Sequence, residues 1–220
     1  MNRFDSFYSG AKLAFGEKPS EYLTDLVNGS HITGTALDIG SGDGRNTLFL
    51  ARAGFHVTAV DTSRVGLEKL DRIAGERNLT ERIITRHADA RELEYPPRSF
   101  DLIASVTLFD HLPAGDVPAL FDRLAASLVD GGVLFVKAHT VDDPGHGRDR
   151  SDASELAGEI RHYFERNELL RLAGDRFYII RYEETREHDT SHGRPHSHAF
   201  AKLLARKYPF ETNHLPLYSR

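Results

Sequence analysis

The 220-residue sequence contains no cysteine. Disulfides, thiolate metal ligands and cysteine nucleophiles are therefore all excluded, and a reaction that involves a thiol must take it from the substrate. No apolar run approaches the ~18 residues of a membrane-spanning helix. The opening MNRFDSFYSG has no apolar centre of the secretory-leader kind, so a cytoplasmic location is the default expectation. An excess of positive charge is also missing: 28 Lys and Arg stand against 33 Asp and Glu, a net charge of −5. The basic residues are scattered rather than gathered into a stripe, which argues against nucleic acid as a partner. Internal repeats and low-complexity tracts are absent. With 40% hydrophobic and 28% charged residues, the composition is that of a globular chain, and residues 1–220 are expected to form one domain with a substantial core.

What the sequence does contain is a strand, glycine turn, helix and strand over Thr35 to Asp61, TALDIGSGDGRNTLFLARAGFHVTAVD. Thr35 to Ile39 is an apolar run carrying Asp38. The glycines at 40, 42 and 44 allow a sharp turn and the close approach of a ligand to the backbone. Arg45 to Ala53 has apolar residues at helical spacing, Gly54 can end the helix, and His56 to Val60 is a β-branched run ending on Asp61. The unpaired N–H groups of the turn (Gly40, Ser41, Gly42) and of the helix start (Arg45, Asn46) suit a polar or anionic part of a ligand. Asp61, 21 residues after Gly40, stands where an acid accepts hydrogen bonds from a ribose diol in dinucleotide folds. The dinucleotide fingerprint G-x-G-x-x-G itself fails, because its third glycine falls on Arg45. The pattern is D-x-G-x-G-x-G, and Asp38 ahead of the glycines would repel a pyrophosphate while suiting a ligand with an amino group and a sulfonium.

On these residues the stretch resembles the first motif of class I S-adenosylmethionine-dependent methyltransferases, and LDIGSGDGRN is similar to the TehB-like and thiopurine-methyltransferase-like branch. The resemblance implies an α/β fold: a doubly wound, mostly parallel, seven-stranded Rossmann-like sheet over 31–220, an antiparallel C-terminal hairpin and an N-terminal helical lid over 1–30. It implies S-adenosyl-L-methionine as cofactor and in-line methyl transfer to a small-molecule acceptor; the alternative is a non-catalytic protein that binds S-adenosylmethionine or S-adenosylhomocysteine in the same pocket. Within the lid it points to Tyr8, Phe15, Lys18 and Pro19, with Tyr8 on the substrate side. Thr62, following Asp61, joins the cofactor site. Past the third strand, Asp89 and Ala90 occupy the place that contacts adenine, although Asp89 can equally cap the short turn that follows.

The remaining elements follow from periodicity and breakers. Ser20 is placed to cap a helix. Thr62-Ser63 starts a helix to about Arg77, with Leu67, Leu70 and Ala74 on one face and Glu68, Lys69, Asp71 and Arg72 on the other. Glu81 to His87 reads as the third strand and Leu102 to Val106 as the fourth, with Val106 walling the cofactor. In the following Leu108 to Pro113, Asp110 and His111 face the place of methyl transfer. His111 can serve as general base, orient a substrate, or simply begin the next helix. A helix is expected from Asp116 to Val129 with Gly131-Gly132 as its stop, then a fifth strand Val133 to Ala138 ending on His139 at the same face as the site. Thr140 to Arg150 reads as a loop and Ser151 to Ala173 as a helix. Phe177 to Thr185 and Ser197 to Lys207 read as the two hairpin strands; helical periodicity competes for the second, and the resemblance decides for strand. Between them lie His188, His192, His196 and His198. They offer three readings: a metal site, a polar substrate pocket to which Arg194 adds charge, or a solvated loop. Their spacing fits no standard metal motif. His188, His192 and Arg194 are assigned to the substrate side and no metal is assigned.

Overall fold

The structure, a computed structural model, describes residues 3–10, 12–30, 32–147, 162–189 and 195–209. Seven strands form one sheet: β1 (Thr35–Ile39), β2 (His56–Asp61), β3 (Ile83–His87), β4 (Phe100–Val106), β5 (Leu128–His139), β6 (Phe177–Asp189) and β7 (His196–Lys207). Their order is β3-β2-β1-β4-β5-β7-β6. The first five run parallel, while β7 is antiparallel to both β5 and β6. This is the mostly parallel sheet with an antiparallel hairpin that the sequence predicts. The order reverses between β1 and β4, and such a switch point leaves a crevice at the carboxyl ends of the strands.

Among the described residues six α-helices, α1 (Arg3–Tyr8), α2 (Glu21–Gly29), α3 (Arg45–Arg52), α4 (Arg64–Glu76), α5 (Val117–Ser127) and α6 (Glu168–Ala173), cover the sheet. Alternation along the strands divides the apolar side chains between two layers. On one face Leu37, Ile39, Ile103 and Leu134 pack with Leu120, Phe121 and Leu124 of α5 and Leu169 of α6. On the other, Ala36, Val57, Leu102, Val133 and Phe135 pack with Leu23 and Leu26 of α2, Leu48 and Leu50 of α3 and Leu70 of α4.

Several local expectations change. Ser20 precedes α2 but makes no side-chain cap; its N–H instead donates to Asn46 Oδ1 at 3.0 Å. Ser63 does cap α4, its hydroxyl accepting from Gly66 N. Lys69 of that helix is buried rather than solvated. α5 stops at Ser127, because Leu128 turns extended (φ −69°, ψ 141°), and β5 runs through Gly131-Gly132, where its register against β4 shifts. Of the helix expected over 151–173, residues 151–161 lie outside the described residues and only Glu168–Ala173 is helical. β6 continues four residues past Thr185, to Asp189.

Candidate active site

The turn between β1 and α3 is shaped by three glycines at positive φ: Gly40 (71°), Gly42 (56°) and Gly44 (92°). At Gly42 the conformation and the space both require glycine, since a Cβ there would lie 2.5 Å from the Tyr8 hydroxyl. The N–H groups of Gly40 and Ser41 anchor the turn on Val60 O at 2.8 and 3.1 Å. Asp61, at the end of β2, locks it from the side: Oδ2 accepts from Gly42 N at 2.8 Å and Oδ1 from Ser63 N at 2.7 Å. Burial pushes the Asp61 carboxyl above the usual range, while the N–H groups of Ser63 and Gly42 pull it down.

Above this turn opens a cavity of about 840 Å³, a volume in the range of small-molecule sites. Gly40, Ser41, Gly42, Arg45, Asn46, Asp61, Thr62, Asp89, Ala90, Val106, His111, His139 and Tyr8 all line it, as do the lid residues Phe15, Lys18 and Pro19. The Ser41 hydroxyl is buried without a hydrogen-bond partner, so the turn holds a polar group still to be satisfied.

One assignment needs correction, and three other residues that do line the cavity carry structural duties besides. Asp38 is not among the residues lining the cavity. It is 1% exposed and accepts from Thr47 Oγ1 at 2.6 Å, because period-two alternation turns its side chain towards α3. Burial, only partly offset by that bond, pushes its carboxyl up to about 6. Arg45 and Asn46 reach the cavity but commit polar atoms to the N-terminal segment: Arg45 Nη1 donates to Phe15 O at 3.2 Å, and Asn46 Oδ1 accepts from Ser20 N. Asp89 borders the cavity while its carboxylate receives Arg91 Nη2 at 2.7 Å and Arg91 N at 2.8 Å. These Arg91 bonds hold it below the usual range. It therefore shapes its turn as well as facing the cavity.

The opposite wall belongs to the antiparallel end of the sheet. On β5 the face that buries Val133 and Phe135 continues into Lys137 and His139. In register on β7 it carries Phe200 and Lys202, and on β6 Glu183, Thr185 and Glu187. Lys137 Nζ lies 2.6 Å from Glu187 Oε2 and 3.8 Å above the Phe200 ring centroid. Lys202 Nζ lies 2.5 Å from Glu187 Oε1. Burial pushes Glu187 up, but the two lysines outweigh it and hold the carboxyl below its ordinary range; burial lowers Lys137.

Asp110 is 0% exposed. Contrary to the expectation that it faces the place of methyl transfer, it is not among the residues lining the cavity and stands behind the wall, where its Oδ2 accepts from His139 Nδ1. A carboxylate only accepts, so His139 presents a proton on Nδ1, which in the neutral imidazole leaves the lone pair on Nε2. His111 lies in a 3₁₀ turn, Phe109–His111, its ring edge-on to Phe4 at 5.2 Å. His188, assigned to the substrate side, is exposed, lines the cavity and approaches Ser197 Oγ at 3.5 Å. His192 and Arg194 lie outside the described residues.

Sequence reasoning missed Lys137, Glu187, Lys202, the pairing of Asp110 with His139, and Asp143. Burial pushes Asp143 up, but hydrogen bonds from His198, Ala199 N and Gly145 N hold it below the carboxylate range. The alternating polar residues of β6 were the available signal for the wall. Asp143, 55 residues from His198, had none.

Residues 36–132 match the family described as a methyltransferase domain. Hemagglutinin 1 of Eikenella corrodens is 33% identical over 176 residues, covering 78% of this chain and 54% of that protein. A ubiquinone biosynthesis O-methyltransferase of Xylella fastidiosa strain 9a5c is 37% identical over 143 residues, 62% of this chain and 57% of that one. The chain thus spans little more than half the length of these relatives. The crystal structure of TehB from Haemophilus influenzae shares the fold with a TM-score of 0.66 at 24% identity, over 79% of this chain and 57% of that one.

Proposed function

We propose that this chain, which carries a class I S-adenosylmethionine-dependent methyltransferase domain of the TehB-like branch, methylates a hydroxyl-bearing small molecule. The carrying observation is that one cavity joins the glycine turn and Asp61 on one side to the buried Asp110–His139 pair on the other.

The residues present fit the cofactor. The Ser41 hydroxyl awaits a partner, and the two Asp61 oxygens keep lone pairs for a ribose diol beyond their backbone bonds. The turn N–H groups expected to be unpaired are already bonded to Val60 O and Asp61, so Asp61, the carbonyls of Gly40–Gly42 and Asp89 with Ala90 would hold it. When bound, S-adenosylmethionine supplies an activated methyl group, so no covalent enzyme intermediate is needed. The protein's contribution is then to orient the acceptor, exclude water and manage its proton. His139 Nε2 can take that proton, with Asp110 fixing the tautomer and stabilising the imidazolium. His111, on the other rim of the cavity, shares in positioning. Lys137 and Lys202, both paired with Glu187, place ammonium donors in the wall that can hydrogen-bond an acceptor oxygen as it loses its proton. The enzymes named O-methyltransferases among the relatives support an oxygen acceptor.

Calorimetric titration with S-adenosylmethionine and S-adenosylhomocysteine, with NAD as control, tests the cofactor half. Micromolar binding of the first two without the third is expected. Transfer of labelled methyl to a panel of phenols, alcohols, thiols and amines tests the acceptor half, and transfer restricted to thiols would overturn the hydroxyl assignment.

A further inference from the structure

Beyond the methyl-transfer reading, the hairpin end of the cavity carries a constellation that reaction does not use. Asp189 and His196 are cross-strand partners at the last pair of β6 and β7, and His198 is two residues further along β7. Pairing and the two-residue strand period therefore set all three side chains on one face. Their ligand atoms all lie within 4.8 Å of one another. The two imidazoles meet almost at right angles, with ring centroids 4.5 Å apart, and their Nε2 atoms are 2.8 Å apart.

The surroundings fix how these atoms are used. His198 is buried, and its Nδ1 lies 3.0 Å from Asp143 Oδ2. That oxygen also accepts from Ala199 N at 2.8 Å, while Oδ1 accepts from Gly145 N at 2.7 Å. Asp143 therefore holds His198 with its proton on Nδ1 and the Nε2 lone pair directed at His196. A carboxylate that orients a histidine through the ring nitrogen remote from the ligand is the arrangement found behind metal-binding imidazoles. His139 closes the group from β5, its ring centroid 4.9 Å from that of His198.

We propose that Asp189, His196 and His198 bind one divalent first-row transition-metal ion, zinc being the representative, with Asp143 as the positioning residue behind His198. Two imidazoles and one carboxylate are a donor set that such ions favour over magnesium or calcium. Zinc-to-nitrogen bonds of about 2.0–2.1 Å in tetrahedral geometry require the two Nε2 atoms to separate to about 3.3 Å, a small movement at the end of a hairpin. Three protein ligands leave a coordination position for water or an oxygen of a bound molecule, and Asp189 and His198 both line the cavity.

The test is calorimetric titration of the tag-free, chelator-treated 220-residue chain with Zn²⁺, paralleled by the visible absorption of added Co²⁺. One ion per chain is expected, with the Co²⁺ spectrum of a low-coordinate nitrogen and oxygen site. His196→Ala and His198→Ala should abolish binding, Asp143→Asn should weaken it roughly 10- to 100-fold, and His56→Ala, at a distant exposed histidine, should leave it unchanged. Folding of each variant is followed by S-adenosylhomocysteine binding and thermal melting, and His196→Gln offers a milder substitution should His198→Ala unfold. Absence of stoichiometric Zn²⁺ binding by the wild-type chain, or its persistence in folded His196→Ala, would overturn the assignment.

Discussion

The Lys69 ammonium and the Asp43 carboxylate lie 2.9 Å apart, with side chains only 6% and 2% exposed, and between them they fasten the N-terminal segment over the cofactor turn. Lys69 Nζ also donates to Tyr8 O at 3.3 Å and to Lys12 O. Asp43 Oδ2 accepts from Ala14 N at 2.7 Å. The pair thus joins the glycine turn, α4 and the chain that carries Tyr8 and Phe15. Removing one partner of a buried pair strands the other charge, which costs about 3–5 kcal/mol. Lys69→Met should destabilise the protein by that order in denaturant unfolding. It should also make residues 1–20 sensitive to limited proteolysis before global unfolding. Loss of stability without selective cleavage would separate the pair from the lid.

Asp61 is tied to the turn by both oxygens, so its removal affects the cofactor site twice, through the lost ribose acceptor and through a loosened Gly42. Asp61→Ala is expected to weaken S-adenosylhomocysteine binding by about 1–3 kcal/mol, read by calorimetry. Asp61→Asn, which retains one oxygen acceptor, should lose less. Equal affinity in wild type and Asp61→Ala would remove Asp61 from the cofactor site.

The βαβ unit was legible because each boundary has a local physical cause: glycines at positive φ, the Ser63 cap, and the change from period two to helical spacing. The polar wall was harder to read. Thr185, Glu187 and Asp189 alternate as a strand should, but they face a cavity rather than core, so the apolar alternation that reveals a strand is missing and β6 reads as ending at Thr185. Lys69 misleads for the converse reason. Helical spacing sets it among charged neighbours, and only the distant segment from Tyr8 to Ala14 covers it. Asp110 was visible as a site residue but not its partner, since β4 and β5 must first be laid side by side to bring His139 to it.

Asp38 gives a pH signature. Its carboxyl sits at about 6 in the folded protein against an ordinary 3.8, so the folded state binds this proton more tightly than the unfolded state. The resulting stabilisation is fully present below pH ~4 and is lost as pH rises through about 6, an effect on the order of 3 kcal/mol for a shift of this size. Asp38→Asn cannot titrate. The difference in unfolding free energy between wild type and Asp38→Asn should therefore move against the wild type between pH 4 and 6, then stay level to pH 8. A flat difference throughout would show that Asp38 ionises normally.

The Asp110–His139 pair makes the sharpest kinetic claim. If His139 Nε2 takes the acceptor's proton, His139→Ala should lower kcat about 10²- to 10⁴-fold, with S-adenosylhomocysteine affinity unchanged, because the pair lies across the cavity from Asp61. In Asp110→Asn the amide can donate to Nδ1, which favours the tautomer protonated on Nε2 and blocks that nitrogen as a base. Its kcat should fall in the same direction while the fold and cofactor binding persist. The decisive readout is the dependence on acceptor acidity. Across a series of phenols, both losses should shrink as the acceptor pKa drops below the assay pH, since an acceptor already ionised needs no base. A deficit equal for acidic and weakly acidic phenols would mean that the pair only holds the cavity wall in shape.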